Sequence, residues 1–150
     1  MNTEDRKKAL DIATSMIAEF EGCKLRAYKD SIGVWTIGYG HTQNVRRNMV
    51  ITQEEADRML REEVDWFMGG VEARLKVWVT PNQLAALTSF AYNVGLQAFE
   101  KSTLLRRVNE LDLLSAKREF GKWNHAGGKV VDGLTVRRRK EANKFVEVMA

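Results

Sequence analysis

The chain has 150 residues, 44% hydrophobic and 29% charged, which specifies one globular unit and excludes a disordered chain. Twenty-four Lys and Arg against 20 Asp and Glu leave a net charge of +4, an excess that suits an anionic wall polymer or nucleic acid and selects neither. One cysteine excludes an internal disulfide, two histidines leave too few ligands for a structural zinc site, and no apolar run reaches the length of a signal peptide or a membrane span.

In chain order, Leu10, Ala13, Met16, Ile17 and Phe20 recur at three- and four-residue steps, which predicts an amphipathic first helix. Gly22 stops it, so Glu21 falls in its last turn. Residues 25–28 and 34–37 read as two strands around a turn at 29–33. Thr52-Gln53-Glu54-Glu55 has the form of a capping box and opens a long helix towards Leu75. Gly69-Gly70 predicts a kink or weak point in it, or even a break, because each helical glycine costs about 1 kcal/mol. Thr80-Pro81-Asn82-Gln83 starts the next helix, which carries Leu84, Leu87, Phe90 and Ala91 and ends near Gly95. Ser102 caps a short helix through Val108, and residues 112–124 and 134–149 supply two more. The predicted class is α+β and mainly helical. A small strand-bearing lobe at 22–52 is joined by a helix at 53–79 to a helical lobe at 80–150, on which the first helix, 1–21, also packs. A cleft is expected at the lobe junction.

The chemistry gathers at that junction. Glu21 is followed nine residues later by Asp30 and six further on by Thr36. Two carboxylates in unlike surroundings are what glycosidic bond cleavage needs, one to donate a proton and one to activate water or attack. Glu21 faces the negative end of a helix dipole, which disfavours charge there and suits a proton donor. Asp30 sits on a polar turn that water can reach, and the hydroxyl of Thr36 on the returning strand could hold that water. The competing reading of two such acids is ordinary solvated surface.

The remaining chemical residues have structural roles or mixed ones. His41 is expected to pair with an acid of the long helix, Glu63, rather than to act in catalysis. Cys23 reads as a small buried side chain. Trp35, Trp66, Trp78 and Trp123 read as core, with at most one touching sugar. Arg137-Arg138-Arg139-Lys140 would track phosphates if it formed a stripe, but at the start of a helix its side chains splay. With Glu141 and Glu147 in the same helix and no nucleic-acid motif, a mixture of cleft-side and salt-bridging arginines is expected, and no specific nucleic acid partner.

The stretch 21–42 resembles the active-site signature of the phage-type lysozymes (endolysins): Glu, eight residues, Asp, five residues, Thr, then Gly38-Tyr39-Gly40-His41. Ser89 to Gly95, with Tyr92 and Asn93, resembles the wall of that family's cleft. Gly133 to Arg139 with Glu141 resembles the start of its Arg-rich C-terminal helix. The resemblance runs from about residue 10 to 145. It implies a lysozyme-like fold and a muramidase cleaving the β-1,4 bond between N-acetylmuramic acid and N-acetylglucosamine in peptidoglycan. Glu21 would protonate the leaving oxygen, Asp30 and Thr36 would position the attacking water, and Thr42, Tyr92, Asn93 and Ser102 would contact sugar. It implies no cofactor, no metal and a monomer, held in the host cytoplasm until a separate holin-type partner releases it to the periplasm. A lytic transglycosylase acting on the same bond, or a non-enzymatic binder of wall polymer or nucleic acid, are the alternatives.

Overall fold

The computed structural model describes residues 1–148; Met149, which the sequence places in the last helix, lies outside them. Helix α1, Thr3–Glu21, is opened by Asn2, whose Oδ1 accepts the Asp5 amide at 2.7 Å. It ends because Gly22 takes φ 69° and ψ 168°, a region essentially confined to glycine. Glu21 is therefore the last helical residue. Strands β1 (Lys24–Lys29) and β2 (Trp35–Gly38) pair antiparallel, with Tyr28 opposite Thr36 and Lys29 opposite Trp35. The returning chain is stitched back onto β1, the Ala27 amide donating to Met49 O and the Ile51 amide to Leu25 O, both at 2.9 Å. Ile37, Ile51 and Ala56 form the small core of this lobe. Cys23 is half-buried against it, not fully buried as expected, with Gln53 Nε2 at 3.8 Å from its sulfur.

Helix α2, Gln53–Arg74, begins with the complete Thr52/Glu55 capping box and runs through Gly69-Gly70 without a break. It stops at Arg74, with Leu75, towards which the sequence pointed, as its C-cap; the connecting segment drawn to about 79 continues beyond it as non-helical chain. The glycine pair has a tertiary meaning at one of its two positions. A Cβ on Gly70 would stand 2.4 Å from Leu96 Cδ1, whereas one on Gly69 would meet nothing within 4 Å. Gly70→Ala is accordingly expected to destabilise the fold by about 1–3 kcal/mol through overpacking, despite its better helix propensity. Gly69→Ala is expected to stabilise it by roughly 0.4–1 kcal/mol. Urea denaturation of the two variants should move in opposite directions, and equal shifts would remove the packing argument.

Helix α3, Pro81–Val94, opens with the Thr80/Gln83 box and is the axis of the large lobe, burying Leu84, Leu87, Phe90 and Ala91. Helices α1, α2 and α7 pack around it. Phe90 sits edge-on to Trp123, Phe120 and Phe99 at 5.3, 5.7 and 6.2 Å, the geometry aromatic quadrupoles favour. The short helices follow: α4 (Leu96–Lys101), α5 (Thr103–Asn109) and α6 (Leu113–Phe120). Helix α4 has no side-chain cap and was not predicted. The helix expected over 112–124 stops at Phe120, and a hairpin of β3 (His125–Ala126) and β4 (Lys129–Val130) follows. Its turn is Gly127-Gly128, with φ 59° and 79°, the positive pair that a two-residue hairpin turn requires. Helix α7, Asp132–Val146, starts earlier than predicted, so Arg137 lies in its interior instead of at its opening. No helix among the described residues is long and apolar enough to cross a membrane.

Candidate active site

Glu21 projects from the end of α1 with 29% of its side chain exposed, and its Oε1 accepts Arg137 Nη1 at 3.1 Å. On the strand-bearing side it faces the turn after β2, where a Cβ on Gly40 would stand 3.9 Å from Glu21 Oε2. Arg137 is itself held on four sides. Its Nε donates to Glu141 Oε2 at 3.2 Å, one turn along α7, and its Nη2 donates to Ser89 O at 3.1 Å. Its guanidinium carbon lies 4.6 Å above the Phe20 ring. With 7% of its side chain exposed, this arginine is a rigid mount for the Glu21 carboxylate.

Beneath it, Glu141 is 0% exposed. Ser89 Oγ donates to its Oε2 at 2.5 Å, and Arg138 Nε approaches its Oε1 at 2.8 Å off the N–H axis, as an ion pair and not an aligned hydrogen bond. Arg138 also donates from Nη2 to Asn93 Oδ1 at 2.9 Å and lies 5.1 Å from the Phe90 ring centre. Burial pushes the Glu141 carboxyl above the usual glutamate value against the pull of Arg138, Ser89 and Arg137. Burial likewise pushes the Arg138 guanidinium down. Both shifts express the cost of taking two opposite charges out of water. The Arg137-to-Lys140 run is thus divided: Arg137 and Arg138 are buried and paired, while Arg139 and Lys140 face solvent, Lys140 reaching Glu19 at 3.3 Å.

Asp30 closes the β1–β2 hairpin. Its Oδ1 accepts the amides of Ile32 and Val34 at 3.0 and 2.9 Å, which fixes the carboxylate plane; among the described residues Oδ2 has no hydrogen-bond partner. Thr36 is 4% exposed, and its Oγ1 donates to Val34 O at 2.9 Å. With its proton so placed, the hydroxyl can only accept a hydrogen from a neighbouring water.

His41 and Glu63 are brought together, with Nε2 at 2.8 Å from Oε2, again off the hydrogen-bond axis. The backbone of His41 exchanges two 2.9 Å hydrogen bonds with Ile37, which fixes the Gly38-to-His41 turn beside Glu21. Tyr92 packs on the large-lobe core, its ring edge-on to Phe67 at 5.1 Å. Burial first, then the charges of Glu63 and Glu21, raise the pKa of its hydroxyl, so it remains a neutral donor. Thr42 is exposed at the lip of a hollow of about 610 Å³ that His41, Glu63 and Trp66 also line. Asn93 borders a second hollow of about 360 Å³ with Trp123 and His125, but its Oδ1 is occupied by Arg138. Ser102 is not drawn into this assembly. It is 6% exposed, and its Oγ donates to Phe99 O at 2.6 Å while accepting the Leu105 amide at 3.1 Å as the cap of α5. Two tryptophans depart from the core reading, Trp66 at 67% and Trp78 at 68% exposure. Sequence reasoning gave Ser89 no role of its own and did not anticipate that Arg137 would reach Glu21.

This arrangement matches known proteins over most of its length. Residues 18–141 fit the family model described as phage lysozyme. The endolysin of Bacillus phage B103 is 46% identical over 135 residues, covering 88% of this chain and 51% of that protein; the chain thus spans about half the length of that Bacillus phage relative. The endolysin of Salmonella phage P22 is 39% identical over 131 residues, covering 84% of this chain and 89% of that one. The solved endolysin from Escherichia coli O157:H7 phage FAHEc1 superposes with a TM-score of 0.84 at 35% identity, over 91% of each chain. The two-lobed, mainly helical architecture is a lysozyme fold. The chain belongs to the phage lysozyme family.

Proposed function

We propose that this chain is an endolysin that hydrolyses the β-1,4 bond between N-acetylmuramic acid and N-acetylglucosamine in peptidoglycan and so lyses the host cell. The observation that carries the reading is the seating of Glu21. Its side chain is 29% exposed, and its carboxylate is oriented by a nearly buried arginine. In the proposed step Glu21 gives its proton to the glycosidic oxygen, and the bonding pair leaves with that oxygen. A water attacks the anomeric carbon from the opposite face and loses one proton to Asp30 Oδ2, while its other O–H, which stays on the sugar as the new hydroxyl, donates a hydrogen bond to Thr36 Oγ1. Such a displacement inverts the anomeric centre and needs the two carboxyls about 6.5–9.5 Å apart at the sugar. Thr42, Tyr92 and Asn93 are proposed as sugar contacts, and Ser102 is left out because its hydroxyl is committed to the α5 cap. Passage from the host cytoplasm to the wall with a separate holin-type release partner belongs to the same proposal.

Asp30→Asn distinguishes hydrolysis from transglycosylation, in which the sugar's own hydroxyl attacks. Turbidity of outer-membrane-permeabilised Gram-negative cells and mass spectrometry of the released muropeptides are the measurements. Hydrolysis predicts reducing muramic ends from the wild type and a loss of roughly 100-fold or more in Asp30→Asn. Anhydro ends with an active Asp30→Asn variant would transfer the chain to the transglycosylase reading.

A further inference from the structure

Trp66 is an exposed indole that the proposed chemistry does not use. It projects from the outer face of α2 at 67% exposure, yet its ring is braced. Trp66 meets Phe67 edge-on at 5.1 Å with the planes at 85°, and Phe67 meets Tyr92 at 5.1 Å. This aromatic row runs from the exposed indole to Tyr92, whose hydroxyl feels the charges of Glu63 and Glu21.

The hollow that Trp66 borders, about 610 Å³, falls within the roughly 300–1,000 Å³ of small-molecule sites. It abuts the proposed acid at Gly40, whose missing Cβ would lie 3.9 Å from Glu21 Oε2. Thr42, Gln43 and Asn44 also line the hollow and bring one hydroxyl and two carboxamides to it. An apolar ring face beside neutral donors and acceptors suits a pyranose, whose C–H face stacks on the ring while its hydroxyls and acetamide bond at the rim. Glu62 and Glu63 also line the hollow and disfavour an anionic occupant.

We propose that this hollow is a further sugar subsite beside the scissile-bond site, taking an uncharged N-acetylhexosamine unit of the glycan strand with Trp66 as its stacking platform. The inference rests on the muramidase reading for its substrate. It adds a residue that sets preference for long strands over short ones.

The test compares Trp66→Ala, Trp66→Phe and Trp78→Ala. Trp78, 68% exposed and in a different hollow beside Met1 and Leu84, controls for general adhesion of exposed indoles to cell wall. Trp66→Ala is expected to raise the half-saturating concentration of purified peptidoglycan about tenfold, with a smaller change in kcat. Trp66→Phe should recover most of the loss, and Trp78→Ala should saturate like the wild type. In parallel, tetra-N-acetylchitotetraose should change the intrinsic fluorescence of the wild type and of Trp78→Ala but not of either Trp66 variant. Saturation of Trp66→Ala at the wild-type concentration, or an equal loss in Trp78→Ala, overturns the subsite. Absence of lysis by the wild type itself would instead overturn the muramidase reading, and the fluorescence titration would still report on the hollow.

Discussion

Glu21→Gln is expected to lower the lytic rate by roughly 10²–10⁴-fold, the range that a lost general acid accounts for. Glutamine has the shape of the native side chain and can still accept Arg137 Nη1, which lies 3.1 Å from Oε1 in the native protein, but it has no proton to give the leaving oxygen. Folding should be little changed. Glu21 is partly exposed, and Arg137 retains Glu141, the Ser89 carbonyl and the Phe20 ring, so the stability change should stay within about 1 kcal/mol. Thermal unfolding alongside the turbidity assay separates these effects. Lysis at the wild-type rate would remove Glu21 from the chemistry, and a large fall in melting temperature would mean that the carboxylate is chiefly structural.

The features that were legible in the sequence are those decided within a few residues. Thr52 with Glu55, Thr80 with Gln83 and Ser102 with Leu105 are hydrogen bonds spanning three positions, so a cap can be read from spacing alone. The position of Glu21 at a helix end follows equally from Gly22. What was not legible depends on distant chain. Arg137 and Glu21 are 116 residues apart, and no local pattern in either segment says that they meet. Gly69-Gly70 looked like a weak point because helix propensity was the only information available. The Leu96 side chain that occupies the space at Gly70 belongs to α4, 26 residues further along the chain.

One misreading was open to correction from sequence, and one unassigned hairpin was only half legible there. Trp66 lies two positions past Val64, which is 0% exposed, and at about 100° per residue it points nearly opposite to the buried face of α2. Periodicity therefore already placed it outside the core. Gly127-Gly128 is a recognised hairpin turn, but its flanking strands of two residues each are too short to show alternation.

Glu141→Ala should cost about 3–5 kcal/mol at neutral pH, the largest stability effect expected of a single change here. The carboxylate is 0% exposed and answers two guanidinium groups and the Ser89 hydroxyl. Removing it strands Arg138, which has 1% of its side chain exposed, with only Asn93 and the face of Phe90 for partners. It also takes away one anchor of Arg137, so lysis should fall further than the lost stability explains, through a less firmly oriented Glu21. If the loss comes from a stranded charge and not from the cavity, replacing Arg138 and Glu141 together by methionine should recover much of it. The pH dependence has a defined sign. Burial raises the folded-state pKa of Glu141 above the ordinary 4.5, so the folded chain holds that proton more tightly than the unfolded one. The group's contribution is full below 4.5 and is lost as pH rises through the raised folded value. Glu141→Gln, which cannot titrate, should remove that downward slope from the stability profile. Urea midpoints for wild type, Glu141→Ala, Glu141→Gln and the double methionine variant across this window would measure both effects. A double variant no better than Glu141→Ala would show that shape, not charge pairing, holds α7 against α3.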